Sequence, residues 1–188
     1  MGLLGLVFVL AMGRELRMDV RGHGCVVFQW HIAEGARDAL EFRVNGRLVE
    51  RQEEGGVWQT CRIFLLDDDE FHLSWQGRSG GEVRLLKSLT SDFPVDCPRE
   101  IPFGGGTFSI RVEGGGCAEL HPAEATVPFC SVRREEDGVF QCAVRENPSG
   151  QTRILRFHAS REDEELDVAV ERVIEIVQGG FPIPEEKN

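Results

Sequence analysis

Tyrosine is absent from this 188-residue chain, and lysine occurs only at Lys87 and Lys187. The other basic residues are all arginine, a bias we read as compositional. Clustered basic residues are missing too: 32 Asp and Glu stand against 21 Lys and Arg, for a formal net charge of −11. Such a chain repels a phosphate backbone and has no counterion release to draw on, which argues against nucleic acid as a partner. No apolar run reaches the roughly 20 residues that a bilayer-spanning helix needs, so no membrane insertion is expected. The six cysteines, Cys25, Cys61, Cys97, Cys117, Cys130 and Cys142, include no Cys-x-x-Cys pair and no Cys/His spacing of a zinc site. Heptads and low-complexity segments are also lacking, so neither a coiled coil nor a disordered chain is indicated.

The usual catalytic signatures are missing as well. His23, His31, His72, His121 and His158 each stand alone in sequence, without a nucleophile elbow, a zinc-binding His-Glu-x-x-His or a cysteine-protease pattern. Two glycine triplets, 104–106 and 114–116, bracket a strand and read as turns, not as phosphate cradles. A non-enzyme with no cofactor is expected, and no ligand-binding residue can be singled out. The best metal candidate is Asp67-Asp68-Asp69-Glu70, whose carboxylates suit calcium, although a solvated turn explains them more simply. Trp30, Trp58 and Trp75 could form a sugar-stacking platform, yet their places in alternating apolar runs make them core residues.

What is present is short alternating runs separated by Gly, Asn and Asp, the mark of half-buried antiparallel strands. Val26, Phe28, Trp30 and Ile32 share one face, with Gln29 and His31 on the other. Leu40, Phe42 and Val44 lead into Asn45-Gly46, a strong hairpin signal, and Leu48 begins the return. A run over 58–66 and the alternating Phe71, Leu73 and Trp75 complete five strands without a helical period between them, so a sandwich or jelly roll is expected. Residues 3–12 form a further apolar run that fits either a secretory leader or an extra first strand. The even cysteine number admits up to three disulfides without selecting a pairing.

The ordered series Gly22-His23-Gly24, Val27-Phe28-Gln29-Trp30, Leu40 through Asn45-Gly46, Val57-Trp58-Gln59 and Phe71-His72-Leu73-Ser74-Trp75 resembles the MAM-like jelly-roll modules of bacterial surface proteins. The likeness covers about 16–90. The family's opening strands are missing or replaced by 3–12, and its aspartate-bearing strand after residue 80 is not evident, so a partial jelly roll is expected over 15–93.

Pro94, Pro98 and Pro102 mark 94–102 as a linker, because each proline removes a ladder donor. Beyond it, alternation resumes at Phe108, Ile110 and Val112, and strands are expected at 129–132, 139–144 and 153–158. A second sandwich is expected over 103–180, and about 100–180 resembles a BACON domain, an immunoglobulin-like β-sandwich of bacterial secreted and surface proteins. The likeness rests on 105–110, on Asn147-Pro148-Ser149-Gly150-Gln151-Thr152-Arg153, and on the closing 174–179 with Gln178. Cys117 and the Phe129-Cys130 pair stand where that family usually has Trp. Residues 166–177 fit an amphipathic helix slightly better than a strand, but the resemblance requires a final strand at 171–178. Residues 181–188 read as a tail.

The expectation is therefore an all-β chain of two sandwiches, a partial jelly roll followed by an immunoglobulin-like unit. The resemblances imply an exported bacterial protein, extracellular, at the cell surface or periplasmic, that binds a glycan, mucin or host surface glycoprotein. The alternative is a structural spacer or protein-interaction module from a larger secreted enzyme.

Overall fold

A computed structural model describes residues 7–10, 15–35, 39–53, 55–66, 70–77, 81–113 and 117–181. Every element among them is a strand. The chain divides into two compact units, Met1–Asp92 and Phe93–Asn188.

The first unit holds β1 (Val7–Leu10), β2 (Glu15–Arg21), β3 (Gly24–Ile32), β4 (Leu40–Val44), β5 (Arg47–Gln52), β6 (Gln59–Leu65), β7 (Glu70–Gln76) and β8 (Gly81–Thr90). They form two four-stranded antiparallel sheets, β1-β8-β3-β6 and β2-β7-β4-β5. This is the eight-stranded jelly-roll order, in which the chain keeps crossing from one sheet to the other. Beyond residue 80 the chain forms β8, which carries no aspartate and pairs with β3 through nine positions. Val7–Leu10, in the apolar run that also fits a leader, pairs antiparallel with β8. The jelly roll thus has eight strands where the sequence made five legible.

Alternation sets the core. Val26, Phe28, Trp30 and Ile32 of β3 meet Leu40 and Phe42 of β4 and Leu73 and Trp75 of β7, all buried. Rings from the two sheets interlock: Phe28 lies 4.7 Å from Phe42 and 5.0 Å from Trp75, edge-on to the latter. Asn45 and Gly46 both take positive φ, 49° and 77°, as a type I′ turn requires, so β4 and β5 form a hairpin.

The second unit comprises β9 (Val95–Asp96), β10 (Glu100–Ile101), β11 (Gly106–Val112), β12 (Cys117–Pro122), β13 (Cys130–Glu136), β14 (Val139–Val144), β15 (Arg153–Asp163) and β16 (Val168–Gln178). Its sheets are β13-β14-β11-β9 and β10-β16-β15-β12. Counting β9 and β10 as one split strand, the orders are fourth-fifth-second-first and first-seventh-sixth-third, the arrangement of a constant-type immunoglobulin sandwich. Residues 94–102 are thus not a plain linker. The chain pairs with β11 at Val95–Asp96 and then, in parallel, with β16 at Glu100–Ile101. Both short strands are sheet edges, where proline is tolerated, and the three prolines bracket them where the chain changes sheets.

Residues 166–177 are not helical. Asp163 Oδ1 accepts from Leu166 N (3.1 Å) and Asp167 takes φ 53°, so a turn ends β15 and β16 returns beside it through eleven pairs. Ile174 and Ile176 then pack inward opposite Phe157 and Leu155. Tertiary pairing outweighs a helical period that 166–177 could also have satisfied. The rest of the apolar run, the 114–116 turn and residues 182–188 lie outside the described residues. Among those described, no helix is long and apolar enough to cross a membrane.

Candidate functional site

Strands β2, β7 and β4 lie side by side and turn every second residue away from the core. On β2 those are Glu15, Arg17 and Asp19; on β7, His72, Ser74 and Gln76; on β4, Glu41 and Arg43. The register sets them in rows across the sheet. Gln76 lies between Glu15 and Glu41, and Ser74 lies between Arg17 and Arg43. His72 faces Asp19 on one side, and on the other its N–H donates to Asn45 Oδ1 at 2.8 Å. With Gly46, and without Glu41, these side chains line a groove of about 540 Å³.

The groove is charged but internally compensated. Arg17 and Gln76 donate to the two oxygens of Glu15 at 2.7 Å each. The Arg17 bond foremost, then Gln76, holds the Glu15 carboxyl below its ordinary range, and the Ser74 hydroxyl adds a third bond. Arg43 donates to Glu41 (2.6 Å) and to the Gly46 carbonyl (3.1 Å), while its buried Nε has no partner. His72 Nδ1 lies 2.7 Å from Asp19 Oδ1. An Asp, a His and a Ser therefore share the groove, but the Ser74 hydroxyl bonds Glu15, leaving the nucleophile–base contact of a triad unmade. What the surface offers is donors and acceptors in alternating rows, each held in place by a neighbour. That pattern matches a ligand whose groups both donate and accept, as hydroxyls do.

The tryptophans separate. Trp30 and Trp75 are buried in the core, and Trp30 Nε1 donates to Gln59 Oε1 at 2.9 Å. Trp58 is half-buried on the outer face of the other sheet, stacked on His31 at 5.0 Å with the Arg84 guanidinium 3.9 Å from its ring centroid. The three do not form one platform. In the second unit, Phe129 lines a cleft of about 470 Å³ with Val127, Pro128 and Arg145, and the Arg153 guanidinium sits 4.0 Å over its ring.

Of the calcium candidates, Asp67, Asp68 and Asp69 lie outside the described residues, and Glu70 accepts from Arg21 at 3.0 Å. Among the described residues no three His, Cys, Asp or Glu converge on a metal position. The six cysteines form no disulfide with one another. Burial, then Glu50, pushes Cys61 up to about 11, and Cys142, hydrogen-bonded to Cys130 and buried, is raised further.

The motif of the second unit has a different use. Asn147 donates to the Gln151 and Gly179 carbonyls and accepts from Ser149 Oγ. Gln178, fully buried, accepts from Arg153 Nε at 2.7 Å and donates towards the Arg145 and Phe103 carbonyls. Asn147 and Gln178, both buried, thus close one end of the sandwich, with Arg153 half-buried beside them and Ser149 at the surface.

Sequence reasoning missed the groove because β2 hides Leu16, Met18 and Val20 between charges, so the strand is not obvious. The polar alternation of β2 and β7 is the signal that could have found it. No family model and no curated protein matches the chain.

Proposed function

We propose that the chain is a non-enzymatic, exported bacterial binding or adhesion protein whose first sandwich takes a glycan in the groove over β2, β7 and β4. The observation that carries this reading is the set of three cross-sheet rows, which offer fixed donors and acceptors to hydroxyls on both sides. The arginines are already matched by Glu15 and Glu41, which favours a neutral saccharide over an anionic one. Arg43 is the anchor, because Glu41 and the Gly46 carbonyl hold its guanidinium in the groove lining.

A second reading, a structural spacer or protein-interaction module from a larger secreted enzyme, is favoured by the burial of Trp30, Trp75 and the Asn147–Gln178 motif. Those residues serve packing, and the second sandwich contains no tryptophan.

A glycan array covering mucin and plant polysaccharides, followed by calorimetric titration of each hit, separates the two. On the first reading Arg43→Ala and His72→Ala each weaken binding by roughly ten- to hundredfold, the loss of one charge-assisted hydrogen bond of about 1.5–3 kcal/mol. Silence across the array, or hits indifferent to both substitutions, removes the groove from consideration and leaves the spacer.

A further inference from the structure

The histidines that stand alone in sequence do not all stand alone in the fold. Strands β12 and β15 are antiparallel, and their register sets His121 directly opposite His158. Ala123 N donates to the Arg156 carbonyl at 2.8 Å, so positions 123 and 156 are a hydrogen-bonded pair. His121 and His158, two residues along, repeat that geometry, with Cα atoms about 5.5 Å apart. Leu120 and Ala159, their chain neighbours, are buried in the core, so both imidazoles lie on the outer face, with side chains 69% and 42% exposed.

Each ring is already oriented. His158 Nδ1 donates to the carboxylate of Glu171 on β16, and His121 Nε2 lies 3.3 Å from Glu119 Oε2. A neutral imidazole that donates from one nitrogen carries its lone pair on the other, here Nε2 of His158 and Nδ1 of His121. Metal-binding histidines typically have such a carboxylate behind them, which fixes the tautomer and raises ligand basicity. Glu119 and Glu171, in a chain of net charge −11, also favour a cation.

We propose that His121 and His158 chelate a divalent transition-metal ion on the outer face of the second sandwich. Neutral imidazole selects zinc, nickel or copper over calcium or magnesium. No third described residue converges on the pair, so the protein supplies two ligands and the remaining positions are open to water or to a ligand brought by a partner. The site is independent of the groove, which lies in the other unit.

The test is titration of the full chain, thiols kept reduced, with Ni²⁺ alone, followed by imidazole NMR and calorimetry. One ion should bind per chain, and paramagnetic broadening should reach the His121 and His158 rings before those of His23, His31 and His72. His121→Ala and His158→Ala should each lower affinity at least tenfold. Glu171→Gln should lower it by roughly ten- to hundredfold, as loss of such a supporting carboxylate does. Amide spectra unchanged without metal show that these exposed substitutions leave the fold intact. Cys117→Ala, on the same face, should leave binding as it was. Absence of binding, affinity that survives both histidine substitutions, or affinity lost with Cys117 overturns the proposal.

Discussion

The two sandwiches reach closure by different means. In the first, Phe28, Trp30, Phe42 and Trp75 come from both sheets and fill the centre with rings 4.7 to 5.6 Å apart. In the second, the buried set is mostly aliphatic, with Ile110, Leu120, Leu155, Ile174 and Ile176 around Phe140 and Phe157, and one end is sealed by Asn147 and Gln178. Aromatic packing supplies a large apolar area and tolerates small shifts; a buried amide supplies less free energy but fits only one arrangement of carbonyls around it. The first unit is therefore held chiefly by area, and the second partly by matched polar geometry.

The most severe way to break this contrast is Trp30→Ala. It empties the centre of the first sandwich and strands Gln59 Oε1, at a cost of about 3–5 kcal/mol. All three tryptophans lie in the first unit, so their fluorescence reports on that unit alone. In urea, Trp30→Ala should lower the fluorescence midpoint sharply. Phe157→Ala, a cavity of similar kind in the second unit, should move the far-UV circular dichroism transition and leave the fluorescence midpoint nearly in place. If Phe157→Ala shifts the fluorescence as far as Trp30→Ala does, the division into two separately held cores is wrong.

Gln178 probes the polar side of the comparison with a smaller effect. Gln178→Leu keeps the volume approximately but leaves Arg153 Nε and the Arg145 and Phe103 carbonyls without this partner, a loss of about 1–3 kcal/mol. Gln178→Glu keeps an acceptor for Arg153 yet turns the donor end into a second acceptor facing carbonyl oxygens. Both should lower the second unit's transition in denaturant. A neutral result for Gln178→Leu would show that apolar packing alone closes that end.

The same contrast explains what could be read in advance. Where packing decides, period-two alternation was enough: β3, β4, β7, β14 and the start of β15 follow from their apolar positions, and Asn45-Gly46 marks its hairpin. Where pairing decides, the residues alone were mute. β9 and β10 are two residues each and are bracketed by prolines, so only their partners β11 and β16 reveal them as strands. The 166–177 segment carries both periods, and the turn at Asp163 and Asp167 resolves it. Groove and histidine pair alike depend on cross-strand register, which joins residues tens of positions apart and leaves no local trace.

The mildest test concerns the thiols that each core shelters. Cys61, in the first unit, is pushed up to about 11 by burial and by Glu50. An unfolded thiol ionises near pH 8.5, so from there to about pH 11 the unfolded chain has shed a proton that the folded chain still holds. Stability linked to this group is therefore complete below pH 8.5 and declines as pH rises through that window. Replacing Cys61 by Ala should make the fluorescence midpoint fall less steeply between pH 8.5 and 10.5 than it does in the parent chain. Because Cys97 is raised in the same direction by burial, and Cys142 by its hydrogen bond with Cys130 and then by burial, the far-UV transition of the second unit should keep its alkaline slope in the Cys61 variant. A parallel flattening of both transitions would mean that Cys61 does not act within its own core alone.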